Sequence, residues 1–143
     1  MILLLDTNVV SELHRPRPDD AVLRWFSELD LSTAFLSSLT EGELRAGLAL
    51  APAGRKRDAL VSKVEYTLSL FRERIVPFGA DAIPKAYAAI LAARAAEGRY
   101  HKESKTDLMI AATATVIGAT MVTRNVRDFA FTGVPIIDPW RKA

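Results

Sequence analysis

The run Ile2-Leu3-Leu4-Leu5 ends abruptly at Asp6. An unbroken apolar run of this length, with no alternation, suits a strand covered on both faces, as in a parallel sheet between layers of helices. In open sheets of that kind ligands sit outside the carboxyl ends of the strands. An acid directly after the first strand therefore falls where chemistry is expected. The 143 residues, half of them hydrophobic, match the size of one domain spanning 1–143. A chain of that length buries about two thirds of its unfolded surface without needing staples.

The rest of the sequence alternates strand and helix signals. Thr7 to Leu13 reads as a short helix, and the prolines of His14-Arg15-Pro16-Arg17-Pro18 impose a loop. Asp19 or Asp20 can cap a helix through Leu29. Ala34 to Ser37 reads as a second strand, and Thr40 to Leu50 as a helix ended by Pro52-Ala53-Gly54. Arg55 to Arg74 forms one long amphipathic pattern with Leu60, Val64, Leu68 and Phe71 on a stripe that faces a core or a partner. Its basic first turn, Arg55-Lys56-Arg57, reads as an exposed helix start. Ile75 to Phe78 is a third strand, and Asp81 to Glu97 an Ala-rich helix closed by Gly98. After the polar loop Arg99 to Lys105, Thr106 to Ile117 is helical and Gly118 ends it. Thr120 to Thr123 and Val134 to Ile137 supply two more strands. This order predicts an α/β domain with a largely parallel sheet, joined by right-handed crossovers.

Cysteine is absent. Disulfides, thiolate metal sites and a cysteine nucleophile are thereby excluded, and a reducing cytoplasm is the expected location. The apolar N-terminus is too short for a signal-peptide core and lacks a basic leader. No apolar stretch reaches the ~20 residues that span a bilayer, so no membrane role is expected. Net charge is only +2, yet 13 of the 19 cations are arginine, whose planar fork suits phosphate oxygens.

Four acids fall near strand ends or helix starts: Asp6, Glu43, Asp107 and Asp128, the last accompanied by Asn125. With no Cys and only two His, oxygen ligands are the plausible metal donors, and these select hard cations such as Mg²⁺ or Mn²⁺. Clustered carboxylates repel one another and favour a cation between them. A divalent ion can orient and activate water for phosphodiester cleavage, and a second can stabilise the leaving oxygen. Each acid also has a plain structural reading. Asp6 can cap the helix behind it. Thr40-Glu41-Gly42-Glu43 fits a capping box that puts Glu43 in a helix's first turn, and Ser104 to Asp107 fits the same pattern. Asp128 can be a surface or capping residue.

The segments that carry these acids resemble the PIN-domain ribonucleases, particularly VapC-type and FitB-like toxins of toxin–antitoxin pairs. The resembling stretches are Leu3 to Glu12, Ser37 to Gly47, Thr106 to Ala114 and Val122 to Phe129, with Ile137-Asp138-Pro139-Trp140 similar to the FitB-like subgroup. Together they run from Ile2 to Trp140. The resemblance implies a three-layer α/β/α fold with a short central sheet. It also implies Mg²⁺- or Mn²⁺-dependent endoribonuclease activity. Asp6 and Glu43 would bind metal, with Asp107 as the third acid. The fourth acid stands at Asp128, whereas some FitB-like members have one at the position of Asn125. Thr7, Asn8 and Thr123 would orient carboxylates or waters, as would Asn125. The resemblance further implies a homodimer and a cognate antitoxin that wraps the chain, inserts a segment into the acidic site, and carries any DNA binding.

An RNA substrate needs cations around an acidic site. Arg45, Lys105 and Arg124 are the candidates for phosphate contact, with Arg99, Lys102 and Arg127 also near the motifs. His14 and His101 lie in polar loops and read as surface, and Trp25 and Trp140 as core or dimer-interface residues. Three alternatives stand beside the nuclease. A haloacid-dehalogenase-type phosphatase wants an acid two residues after Asp6, where Asn8 stands. A signalling receiver wants paired acids there and a phospho-accepting Asp after a middle strand, but Thr7 follows Asp6 and Pro77-Phe78-Gly79 ends the third strand. A PIN-like module that only binds RNA or protein would keep the fold without the reaction.

Overall fold

The computed structural model of the chain describes residues 1–141. In chain order the elements are β1 (Leu3–Leu5), α1 (Thr7–Leu13), α2 (Asp20–Ser27), β2 (Ala34–Ser37), α3 (Ser38–Leu50) and α4 (Arg55–Leu70). There follow β3 (Ile75–Val76), α5 (Ile83–Ala96), α6 (Lys105–Ile117), β4 (Thr120–Val122), α7 (Val126–Phe129) and β5 (Ile136–Ile137). The five strands form one sheet in the order β3-β2-β1-β4-β5, and every neighbouring pair is parallel. β1 is the central strand, which is why its three leucines are all buried.

Alternation along the strands divides the interior into two layers. Leu3, Leu5 and Val122 face one side, where they meet Val9 and Val10 of α1, Leu44 and Leu48 of α3, and Val64 and Leu68 of α4. Leu4 and Met121 face the other side, against Ile110, Ala111 and Ala114 of α6 and Phe129 of α7. This is the three-layer α/β/α arrangement. The stripe Val64, Leu68 and Phe71 is core, with Leu60 packed against it, as are Trp25 and Trp140 at the edge of the same cluster.

Several boundaries differ from the sequence reading for local reasons. α4 stops at Leu70, and Arg72–Arg74 form a 3₁₀ turn, which lets Phe71 enter the core with no exposed surface. β3 ends before Pro77, whose missing N–H cannot extend a ladder. α3 begins at Ser38, earlier than Thr40, because the Ser37 hydroxyl caps it by accepting the Leu39 N–H at 3.1 Å. Gly118 closes α6 with φ of 67°, a left-handed conformation that favours glycine.

All strands point the same way, so Asp6, Thr123 and the start of α3 lie along one edge of the sheet. That edge is the site described next.

Candidate active site

Asp6 is both a helix cap and the floor of an acidic cluster. Its Oδ1 accepts the Thr7 N–H at 2.8 Å. Its Oδ2 accepts the Thr123 hydroxyl at 2.8 Å and the Asn8 amide at 3.2 Å. Only 4% of Asp6 is exposed. Burial pushes its carboxyl above the usual range, and nearby Glu43 and Asp128 push the same way, although the bonds from Thr123 and Thr7 oppose them.

Thr7 links this floor to α3. Its hydroxyl donates to Glu43 Oε1 at 2.7 Å and lies 3.0 Å from the buried Thr40 hydroxyl. A carboxylate can only accept and a hydroxyl has one proton. Thr7 therefore donates to Glu43 and accepts from Thr40. The capping-box expectation for Thr40 and Glu43 does not hold. Ser37 is the cap, so both residues lie inside α3, three apart and on neighbouring sides of the helix. Glu43 is thus held by a tertiary contact and does not cap its own helix.

Asp107 stands in the first turn of α6, where its N–H meets the capping Ser104 hydroxyl at 3.2 Å. Its pKa rises to about 6, first through burial and then through Asp6, Asp128, Glu43 and Glu103. Asp128 sits on α7 with an exposed side chain. Asp107 thus lies within electrostatic reach of Asp6, Glu43 and Asp128, and Asp6 within reach of Glu43 and Asp128. The Asn125 backbone N–H donates to the Thr123 hydroxyl at 3.0 Å, which helps aim that hydroxyl at Asp6.

This donor set is all oxygen and mutually repulsive, which favours a hard divalent cation. The fit rests on the chemistry of the donors, all of them carboxylate oxygens; among the described residues no group of three or more Asp, Glu, His or Cys side chains is gathered closely enough to form a ready-made metal site.

The match to known proteins follows this geometry. Residues 3–133 match the PIN domain. The chain belongs to the PIN-domain family. It is 39% identical over 143 residues to the VapC ribonuclease Y4jK of Sinorhizobium fredii, covering 99% of this chain and 100% of that protein. It is 37% identical over 140 residues to the toxin FitB of Neisseria gonorrhoeae, covering 97% and 99% of the two chains. The structure of FitAB bound to an IR36 DNA fragment superimposes with a TM-score of 0.89 at 36% identity, over 99% of this chain and 98% of that one. Membership in the PIN family sets aside the phosphatase and receiver readings.

Arg45 is held by Glu41 at 2.9 Å and by Glu65 of α4, so its charge is compensated away from Glu43. Lys105 folds back onto Tyr100, donating to its carbonyl and lying 4.2 Å from its ring centre. Arg124 lies over Trp140, 5.1 Å from the ring centre, and its N–H is 3.4 Å from the Asn8 side-chain oxygen. His14 is not a surface residue: it is 8% exposed and its Nε2 lies 2.7 Å from the Thr67 hydroxyl. Burial and Lys63 lower its pKa. His101 is exposed, as expected. Thr40 is the site residue that motif reading missed. Its place three residues before Glu43 on the same helix was the available signal.

Next to the site, an apolar groove of about 570 Å³ runs between α1, α3 and α4. Ser11, His14, Glu43, Leu44, Leu48 and Leu60 are among the residues that line it.

Proposed function

We propose that this chain is a divalent-metal-dependent endoribonuclease and the toxin half of a toxin–antitoxin pair. The observation that carries this reading is the convergence of Asp6, fixed by Thr123 and the Thr7 N–H, and Glu43, fixed by the Thr7 hydroxyl, at the sheet edge that Asp107 approaches from the first turn of α6. Carboxylates brought together in this way have a use when a cation is shared among them. The names of the relatives, a VapC ribonuclease and a toxin, agree with it.

In this reading Asp6, Glu43 and Asp107 hold Mg²⁺ or Mn²⁺, and Asp128 adds negative charge from the exposed side. A bound ion supplies an activated water at neutral pH and charge stabilisation on the phosphate. The protein's own part is orientation. Thr123 and the Thr7 N–H fix the Asp6 carboxylate. Thr7 fixes Glu43. Ser104 caps α6 and so aims its first turn, with Asp107, at the cluster. Arg124, braced on Trp140 beside Asn8, is the candidate for holding an RNA phosphate. Arg45 and Lys105 would first have to leave their present partners.

The antitoxin would occupy the groove that Glu43 helps to line, with a basic residue reaching the carboxylates. DNA binding would come through that partner, and a homodimer completes the assembly. No helix among the described residues is long and apolar enough to cross a membrane.

The deciding experiment is cleavage of structured RNA by purified protein with Mg²⁺, Mn²⁺ or EDTA, beside an identically purified Asp6→Asn control. Metal-dependent cleavage that disappears in the variant establishes the nuclease. No cleavage of several RNAs by folded protein supports a binding module.

A further inference from the structure

A second polar cluster flanks the acidic site and contains none of its four acids. Its centre is Arg94 on α5, a helix that contributes no carboxylate to the site. The side chains of Arg94 and Glu103 are only 13% and 10% exposed. Arg94 Nε donates to Glu103 Oε1 at 2.7 Å, and Nη2 contacts the same oxygen. Nη1 donates to Glu97 at 3.0 Å. The guanidinium also lies over the Phe131 ring, 4.0 Å from its centre. Arg99 Nε is a second donor to Glu103, at 2.6 Å.

The chain positions give this cluster its meaning. Glu103 immediately precedes Ser104, the cap of the helix that presents Asp107. Phe131 lies in the 3₁₀ turn directly after α7, three residues beyond Asp128. One guanidinium therefore grips the segments that carry two of the four acids. Glu103 is close enough to Asp107 to oppose its ionisation, and Arg99 close enough to Asp128 to feel its charge. Without its arginines, Glu103 would be repelled from the acidic site and could not hold the start of α6. An exposed ion pair would carry little weight. This one is largely desolvated and backed by an aromatic face, conditions under which losing one partner leaves an uncompensated charge.

We propose that Arg94 is a positioning residue for the acidic site: by holding Glu103 and Phe131 together, it sets the spacing between Asp107 and Asp128. The proposal rests on reading that site as a metal site.

The test is Mn²⁺ affinity of the full chain, read by water-proton relaxation so that binding is seen without turnover. Arg94→Met removes a positive charge near the carboxylates. If Arg94 acted through charge alone, Mn²⁺ would bind more tightly. As a positioning residue, its loss weakens Mn²⁺ about tenfold, the low end of what outer residues contribute to metal sites. Arg94→Lys keeps the charge but not the planar fork, and is expected to remain weakened. Phe131→Leu removes the stacked face without changing charge and is expected to shift affinity the same way. Leu68→Ala destabilises the core on the opposite side of the sheet from α6 and α7 and should leave Mn²⁺ affinity unchanged. If Arg94→Met does not fold, Arg94→Lys and Phe131→Leu decide the matter. Folded variants with unchanged or tighter Mn²⁺ binding overturn the proposal while leaving the metal site standing. Absence of Mn²⁺ binding by the wild-type chain overturns both.

Discussion

Thr123 donates its hydroxyl proton to Asp6 at 2.8 Å, joining residues 117 apart in sequence. The register explains the meeting: Leu5 pairs with Val122, so the next residue of each strand emerges beside the other. Thr123 is fully buried and also accepts the Asn125 N–H. Its proton is thereby aimed at the carboxylate.

Thr123→Val keeps the shape and removes that donor. A hydrogen bond to a charged group contributes roughly 1.5–3 kcal/mol, but Asp6 keeps its Thr7 N–H and Asn8 donors. We expect a stability loss of about 1 kcal/mol by urea unfolding, with cleavage reduced about 10–100-fold. Thr123→Ser should recover most of both. Full activity in Thr123→Val would remove the hydroxyl from the site's function.

Asp6→Asn and Asp107→Asn should each retain the fold by circular dichroism and lose metal-dependent cleavage of RNA. Asp128→Asn should have the smallest effect of the three, because its side chain is exposed and α7 is a short helix at the rim. Loss equal to that of Asp6→Asn would make the fourth acid essential.

Asp107 predicts a pH dependence of stability in the metal-free protein. Its folded pKa is about 6 against an ordinary 3.8, so the folded state binds the proton more tightly than the unfolded state does. Stability therefore falls as pH rises from about 4 to 6, and the penalty is complete above that window. The group is half-buried, so after solvent screening the effect is on the order of 1 kcal/mol. Asp107→Asn should raise the metal-free Tm at pH 7.5 and leave it unchanged near pH 3. Saturating Mn²⁺ should stabilise the wild type and the variant much less. Equal Tm gains at both pH values would point to a cause other than charge.

His14 acts with the opposite sign. Burial holds its folded pKa below the ordinary 6.5, so it stays neutral while the unfolded chain takes up a proton. Its contribution is present above pH 6.5 and is lost as pH falls through the folded pKa. In an NMR titration the His14 ring should titrate below the ordinary 6.5. A His14 midpoint at or above 6.5 would show the ring to be open to solvent.

The parts of the fold that were legible in the sequence rest on local rules. The unbroken Leu3–Leu5 run marked a strand buried on both faces, and it became the central one. The stripe from Leu60 to Phe71 marked a helix facing a core or a partner, and it faces the core; Gly118 marked the end of α6. What was not legible depends on partners far along the chain. His14 sits in a proline-rich polar loop, and its burial depends on Thr67. Arg45 follows Glu43 by two residues, an offset that puts it on another side of α3, where Glu41 and Glu65 take it up. Arg94 carries no motif, and its meaning exists only once Glu103 and Phe131 are beside it.

By itself the sequence determined that Asp6 would end a buried strand and that the other acids would fall near strand ends or helix starts, because hydrophobic runs, caps and glycines act over a few residues. Which acids meet, and in what state, was decided only by the tertiary structure. Strand order set β4 beside β1 and so Thr123 beside Asp6. The α3 face turned Glu43 toward Thr7. Packing removed water from Asp107. Desolvation and charge repulsion depend on distances through space, and those distances do not exist until the sheet has closed.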